Sequence, residues 1–290
     1  TVNKSGGTLS TTGDLTLDQL NITESGGTLL IDGESITYDD GLVISAGTLQ
    51  ITSGLLHHTD FQADAISISG GTLDVDGGEV RIGDNDGSDY GPDIEMSSGT
   101  IDISGGSVNI NDELDVANGT VTISGGTLSI GTYSGSDLGG GTSADRFEMD
   151  AGTLNLTAGT INIYGQINSS SYDALDLASG VTVNSNANNT INFGSGAGSN
   201  DEDIYVKLND NQLGTVIIAN TNNSVFFEDD LTLLGDLSIN SSSTLDIATN
   251  NCDLSIGGSF NNSGTLTSNE ENFTFTGTGN TNIGGKRRFD

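Results

Sequence analysis

"DNDGSD", residues 84–89, sets three carboxylates within six residues. Hard cations take several oxygen ligands, often from closely spaced carboxylates. Asp84, Asp86 and Asp89 have the type and spacing to hold a calcium ion, and the acidity around them favours a cation. The run is not an EF-hand loop. Its sixth position, normally Gly, is Asp89, although Glu95 falls at the twelfth, and its flanks have strand character. A solvated acidic turn accounts for the same residues, so both readings stay open.

Neighbouring segments carry a second chemistry. "LLHHTDFQADA" (55–65), "GDNDGSDYGPD" (83–93), "GTYSGSDLGGGTSADR" (131–146) and "YGQINSSSYDA" (164–174) hold four of the six tyrosines: Tyr90, Tyr133, Tyr164 and Tyr172. Tyr38 occupies the equivalent place earlier. Tyrosine rings stack on sugars, and Asp, Asn and Ser bond hydroxyls. The competing reading is that exposed loops collect these residues without a ligand.

Catalytic signals are sparse. His57 and His58 are the only histidines and sit together in one insert, where solvent-facing positions are expected. Cys252 is alone, so neither an internal disulfide nor thiol chemistry is indicated. "LGGGTSAD" (138–145) opens no helix, against a phosphate loop. A β-helical polysaccharide lyase wants a Lys or Arg base beside calcium, yet Arg81 and Arg146 are the only basic residues between Lys4 and Lys207. The formal net charge of −33 repels nucleic acid. The expectation is a protein that is not an enzyme.

The elements that must position these residues announce themselves by repetition. In "DAISISGGTLDVDGGEVRIG" (64–83) apolar residues alternate in pairs, Ile66/Ile68, Leu73/Val75 and Val80/Ile82, seven residues apart and separated by turn residues. Alternation of Ile, Val and Leu is a strand pattern. Starting pairs recur at Leu20/Ile22, Leu42/Ile44, Ile66/Ile68, Ile94/Met96, Leu114/Val116, Phe147/Met149 and Leu175/Leu177. The shortest cycle, Ile94 to Leu114, is 20 residues and the longest is 33, the surplus falling mostly after the third pair. A period in this range marks a repeat architecture. The spacing predicts an all-β, three-sided parallel β-helix with coils of about 20 residues and inserts at one corner. Gly70 and Gly71 turn a corner that needs a positive φ or a missing Cβ.

Two columns follow from stacking. Thr28, Thr48, Thr72, Thr100, Thr120 and Thr153 face outward at matching positions. A flat ice-binding face wants Thr at both outward positions, and only Thr120 with Thr122 does this, so a cross-strand Thr ladder is expected. Asp40, Asp64, Asp112, Asp145 and Asp173 lie two residues before a coil's first apolar residue, and Asp93 one before. Corner turns stabilised by the Asp side chains are favoured over a calcium ladder.

Residues 1–183 form the regular part, with SGGT-type corners; 184–290 form a less regular Asn/Ser/Thr-rich continuation whose apolar pairs persist. No amphipathic helix, membrane-spanning run or signal peptide is visible, and "TVNKSGGTLS" already carries the repeat, as in a piece of a longer chain.

"GDLSINSSSTLDIATNNCDLSIGGSFNNSGTLTSNEENFTFTGTGNTNIGG" (235–285) resembles the repetitive surface proteins and adhesins of gliding Bacteroidota exported by type IX secretion. "ISISGGTLDV" (66–75) and "DALDLASG" (173–180) resemble β-helical domains that bind acidic plant polysaccharides with calcium. That family carries Asp-Gly-Ile before the strand, where this chain has Asp-Ala-Ile at 64–66 and Asp-Gly-Leu at 40–42. Both resemblances imply a secreted or cell-surface location. The expected function is an extracellular structural or adhesive segment of a larger protein, touching polysaccharide, cell-surface glycan or the secretion machinery. Alternatives are a calcium-assisted glycan-binding module, a polysaccharide lyase or hydrolase, and a cargo whose main role is as a secretion substrate.

Overall fold

The computed structural model describes residues 7–10, 14–17, 20–33, 35–38, 41–59, 65–82, 94–131, 146–164, 173–194, 203–221, 223–277 and 283–285. Among them there is no helix.

One coil shows how the sequence becomes a shape. Leu114–Val116, Thr120–Ile123 and Thr127–Ile130 are three short strands, separated by "ANG" (117–119) and "SGG" (124–126). Each pairs in parallel with its counterparts one coil below and one above. Leu114 lies opposite Ile94 and Phe147, Val121 opposite Ile101 and Leu154, and Leu128 opposite Val108 and Ile161. The chain is therefore a three-sided parallel β-helix, as the periodicity predicts. In most coils of the first half the first two sides bend within one long strand, such as Ile66–Val75 or Phe147–Leu156, and belong to a 13-stranded sheet. The third side is a 12-stranded sheet. Further along, Leu231–Leu233, Leu254–Ile256 and Phe273–Phe275 make a separate three-stranded sheet. The stack runs on past residue 184, since Thr160–Ile163 pairs with Thr190–Phe193, which pairs with Thr215–Ile218.

Alternation places the core. Ile66, Ile68, Leu73, Val75, Ile101, Ile103, Val121, Ile123, Leu154 and Leu156 are all buried, while Thr72, Thr100, Thr120 and Thr153 are half-exposed. The threonines form a continuous column from Thr8 through Thr28, Thr48, Thr72, Thr100, Thr120 and Thr153 to Thr182. Full burial of a Leu, Ile or Val side chain stabilises by about 1.5–3 kcal/mol. One coil has no partner for its apolar face, so this gain exists only in the stack.

Two expectations are corrected. Leu55–His58 is not an insert but a strand of the third side, with Leu56 between Ile36 and Val80. His57 points outward, but His58 is fully buried, in an inward column between Tyr38 and Ile82. Tyr38 is no corner residue either. It is buried, its ring lies 4.9 Å from that of His58, and its hydroxyl donates to the Ala65 carbonyl at 3.1 Å. The continuing register puts both side chains inside.

The corners need Gly for space more than for φ. At Gly71, with ordinary φ, a Cβ would sit 2.4 Å from Ile44 Cγ2. Gly78 combines both demands, with φ of 69° and a Cβ position 2.6 Å from the Gly54 carbonyl oxygen. Gly78→Ala should therefore destabilise by about 1–3 kcal/mol, the usual cost of overpacking. The check is chemical denaturation beside Ser69→Ala, an exposed-site control expected to change little.

Candidate functional site

The expected ligand groups divide by where they fall. Asp84, Asp86 and Asp89 lie outside the described residues, as do Tyr90, Tyr133 and Tyr172. Tyr164 is described. It is half-exposed at the corner after Thr160–Ile163, with its N–H donating to the Ile130 carbonyl at 3.0 Å. Of the expected Asp column, Asp112 is buried and Asp173 half-buried; Asp40, Asp64, Asp93 and Asp145 lie outside the described residues. Burial, then repulsion from Glu228 and Asp176, pushes Asp173 up to about 6.

The structure brings together a different acidic row. Register places Glu95, Asp115, Glu148, Asp176 and Lys207 directly above one another on the outside of the first side. Adjacent coils are about 4.8 Å apart, close enough for like charges to repel. Two of the chain's seven basic residues answer this. Lys207 Nζ lies 3.1 Å from Asp176, and Arg146 bridges Glu113 and Glu148, the latter at 2.6 Å. Burial raises the carboxyls of Asp115 and Glu148, opposed by Arg146 and reinforced by neighbouring acids. Burial pushes Glu113 up to about 7 despite Arg146. On the second side, Gln50 Nε2 donates to Asp74 at 3.1 Å and Asp76 at 2.9 Å, and Asp74 stacks on Asp102. The row goes unseen in the sequence motifs taken singly, though its signal is present. In "IEM", "LDV", "FEM" and "LDL" the acid sits between the two inward residues of a starting pair.

The third side differs in kind. Its outward positions from Ser107 onward form two columns. Ser107, Thr127, Thr160, Thr190 and Thr215 make one. Asn109, Ser129, Asn162, Asn192 and Ile217 make the other, in which Ser129 is buried. None is charged. The amides are tied along the column: Asn162 donates to Ser129 Oγ at 3.1 Å, and Asn192 to Asn162 Oδ1 at 2.8 Å.

Chemically, the acidic row repels polyanions and attracts cations diffusely. Among the described residues, no group of three or more His, Cys, Asp or Glu side chains is placed to hold a metal ion. Cys252 is buried, donates to the Phe227 carbonyl at 3.1 Å, and is pushed up to about 11 by burial and nearby acids. A thiol held so far above neutral pH is a poor nucleophile.

The raised carboxyls link stability to pH. Glu113 and Asp173 hold their protons more tightly in the folded chain than at the unfolded values near 4. Their stabilising contribution is complete below those unfolded values and is lost as pH rises through about 6 and 7. The thermal midpoint should fall between pH 5 and pH 8, and Glu113→Gln should flatten that fall.

No family model matches the chain, and neither a curated protein nor a solved structure matches it.

Proposed function

We propose that the chain is a structural and adhesive rod, a segment of a larger secreted or cell-surface protein, and that it catalyses no reaction. The observation that supports this is the continuous parallel coil-to-coil pairing from Gly7 to Thr267, interrupted only by local register shifts at corners, in which sequence is repeated to extend a shape. A surface rod benefits from a strongly charged side that keeps chains apart and hydrated. Calcium and glycan enter as ligands of the corner inserts, held by Asp84, Asp86 and Asp89 and by Tyr90, Tyr133, Tyr164 and Tyr172. The half-exposed position of Tyr164 at that corner supports this part.

Location is tested with an antibody against the chain. Intact cells of the source organism should label as strongly as permeabilised ones; labelling only after permeabilisation defeats the surface reading. Ligands are tested separately. Calcium at a hundred times Kd stabilises the folded state by about 2.7 kcal/mol. EDTA should lower the melting temperature, and Asp86→Ala should remove most of that sensitivity. On a glycan array with calcium, the double variant Tyr133→Ala/Tyr164→Ala should bind less than the parent at an unchanged melting midpoint. An array bare of parent binding leaves the spacer alone.

A further inference from the structure

On the second side, inward residues bond to the coil above. The carbonyls of Ile31, Ile51, Val75, Ile103 and Ile123 accept from the N–H groups of Thr52, Asp76, Ser104, Ser124 and Thr157 at 2.9–3.1 Å. In Leu175–Ser185 that role falls to Val181 and Val183, which lie over Gly152 and Leu154. Successive residues of a parallel strand bond to opposite neighbours, so the N–H and C=O groups of these two valines point away from the coil below. Only Leu175 and Asp176 meet a strand above, at Val206 and Lys207. Among the described residues, nothing pairs with 181–185 on the upper side.

The opening is built into the chain. Lys207 lies over Asp176, and contact is regained where a Cβ on Gly214 would sit 2.3 Å from the Asn186 carbonyl oxygen. Between these points the lower coil uses nine residues, 177–185, and the upper coil six, 208–213. Six residues cannot follow the path of nine. Asn209 and Asp210 have φ of 48° and 65°, left-handed values that end a strand. The Asp229 carboxylate pins this turn by accepting from the Leu208 and Asn209 N–H groups, each at 2.8 Å, and Asn209 Nδ2 donates to the Leu177 carbonyl at 2.8 Å. Leu208 and Leu213 are fully buried and close the core behind the open edge.

The edge is also unguarded. Open strand edges are commonly protected by charged side chains, Pro or bulges. "GVTVNS" (180–185) has no charge and no Pro, in a chain with 40 Asp and Glu residues. Its Val and Thr favour extended backbone. Thr182 and Asn184 are exposed, and Val183 is half-buried. A row of backbone donors and acceptors in extended geometry selects another extended backbone. The stack resumes two coils up, where Leu213 bridges to Leu233. Two coil spacings are about 9.6 Å, which admits one strand and not the sheet of a second copy. An incoming side chain over Val183 meets apolar carbon, and its neighbours meet Thr182 and Asn184. The net charge of −33 disfavours an acidic segment.

We infer that residues 181–185 are a strand-accepting edge, which takes up an extended, uncharged or basic segment of a partner protein with a Val, Ile or Leu seated over Val183. This goes beyond the rod reading and does not depend on it.

The probe is a fluorescein-labelled peptide, AGTLNLTA, the sequence of residues 151–158, which fills the equivalent place one coil below. Titrated with the chain, its anisotropy should rise to saturation, and amide hydrogen exchange at 181–185 should slow while exchange in Thr160–Ile163 stays unchanged. In a parallel ladder the probe bonds the edge through its first Thr and its Asn. N-methylation of those two amides, which keeps every side chain, should weaken binding at least tenfold; N-methylation of the Leu between them should not. Val183→Lys should weaken it by a similar factor, and the N-methyl comparison stands whether or not that variant folds. A probe that fails to saturate, binding indifferent to N-methylation, or protection that falls on Gly7–Ser10 or Thr265–Thr267 at the ends of the stack would overturn the proposal. The antibody test of surface location is unaffected by any of these results.

Discussion

Everything in this protein depends on the parallel hydrogen-bond register between coils. Within a coil the three sides face away from one another, so a strand finds no backbone partner in its own turn. Ile94, for instance, donates its N–H to the Glu113 carbonyl of the next coil at 3.0 Å, and Leu114 donates to Arg146 of the one after at 2.9 Å. Satisfying buried backbone groups therefore requires neighbours on both sides. It also requires that they stay in step, because a slip of one residue would turn an apolar pair outward.

That constraint turns residue choice into column choice. A side chain outside the helix is surrounded by its own counterparts, so any preference is multiplied along the stack. Threonine repeated becomes a ladder, and asparagine repeated becomes a chain of amides. Carboxylate repeated becomes a row whose repulsion must be answered locally, by Arg146 between Glu113 and Glu148 and by Lys207 against Asp176. The inward columns vary mainly in volume. Ile82, Ile110, Ile130, Ile163 and Phe193 follow one another, and His58 with Tyr38 continues the same line as an aromatic pair.

The inward set was legible because alternation and a short period are both visible without alignment; Leu73, Val121 and Leu154 fall where the pattern puts them. The misplacement of His58 and Tyr38 has a physical origin. "HH" beside "TD" is polar enough to resemble an insert, and only the match of Leu56 to Ile36 and Val80 shows that the strand continues. The acidic row escaped for the opposite reason. Each Glu or Asp is unremarkable in its own strand, and its meaning appears once five coils are superimposed. Asp84 and Tyr133 belong to sequence segments of uneven length, where no periodic argument reaches.

The direction of the coil-to-coil bonds has a mechanical consequence. They run along the axis, so tension along that axis meets them at the outermost coil, a few at a time, instead of shearing all of them together. A coil that peels away exposes the next coil to the same load. For the cycle from Ile94 to Leu114, 20 residues of chain are released, about 65–70 Å of slack at full extension. Such a rod yields in steps under load, lengthening while its remaining coils stay folded.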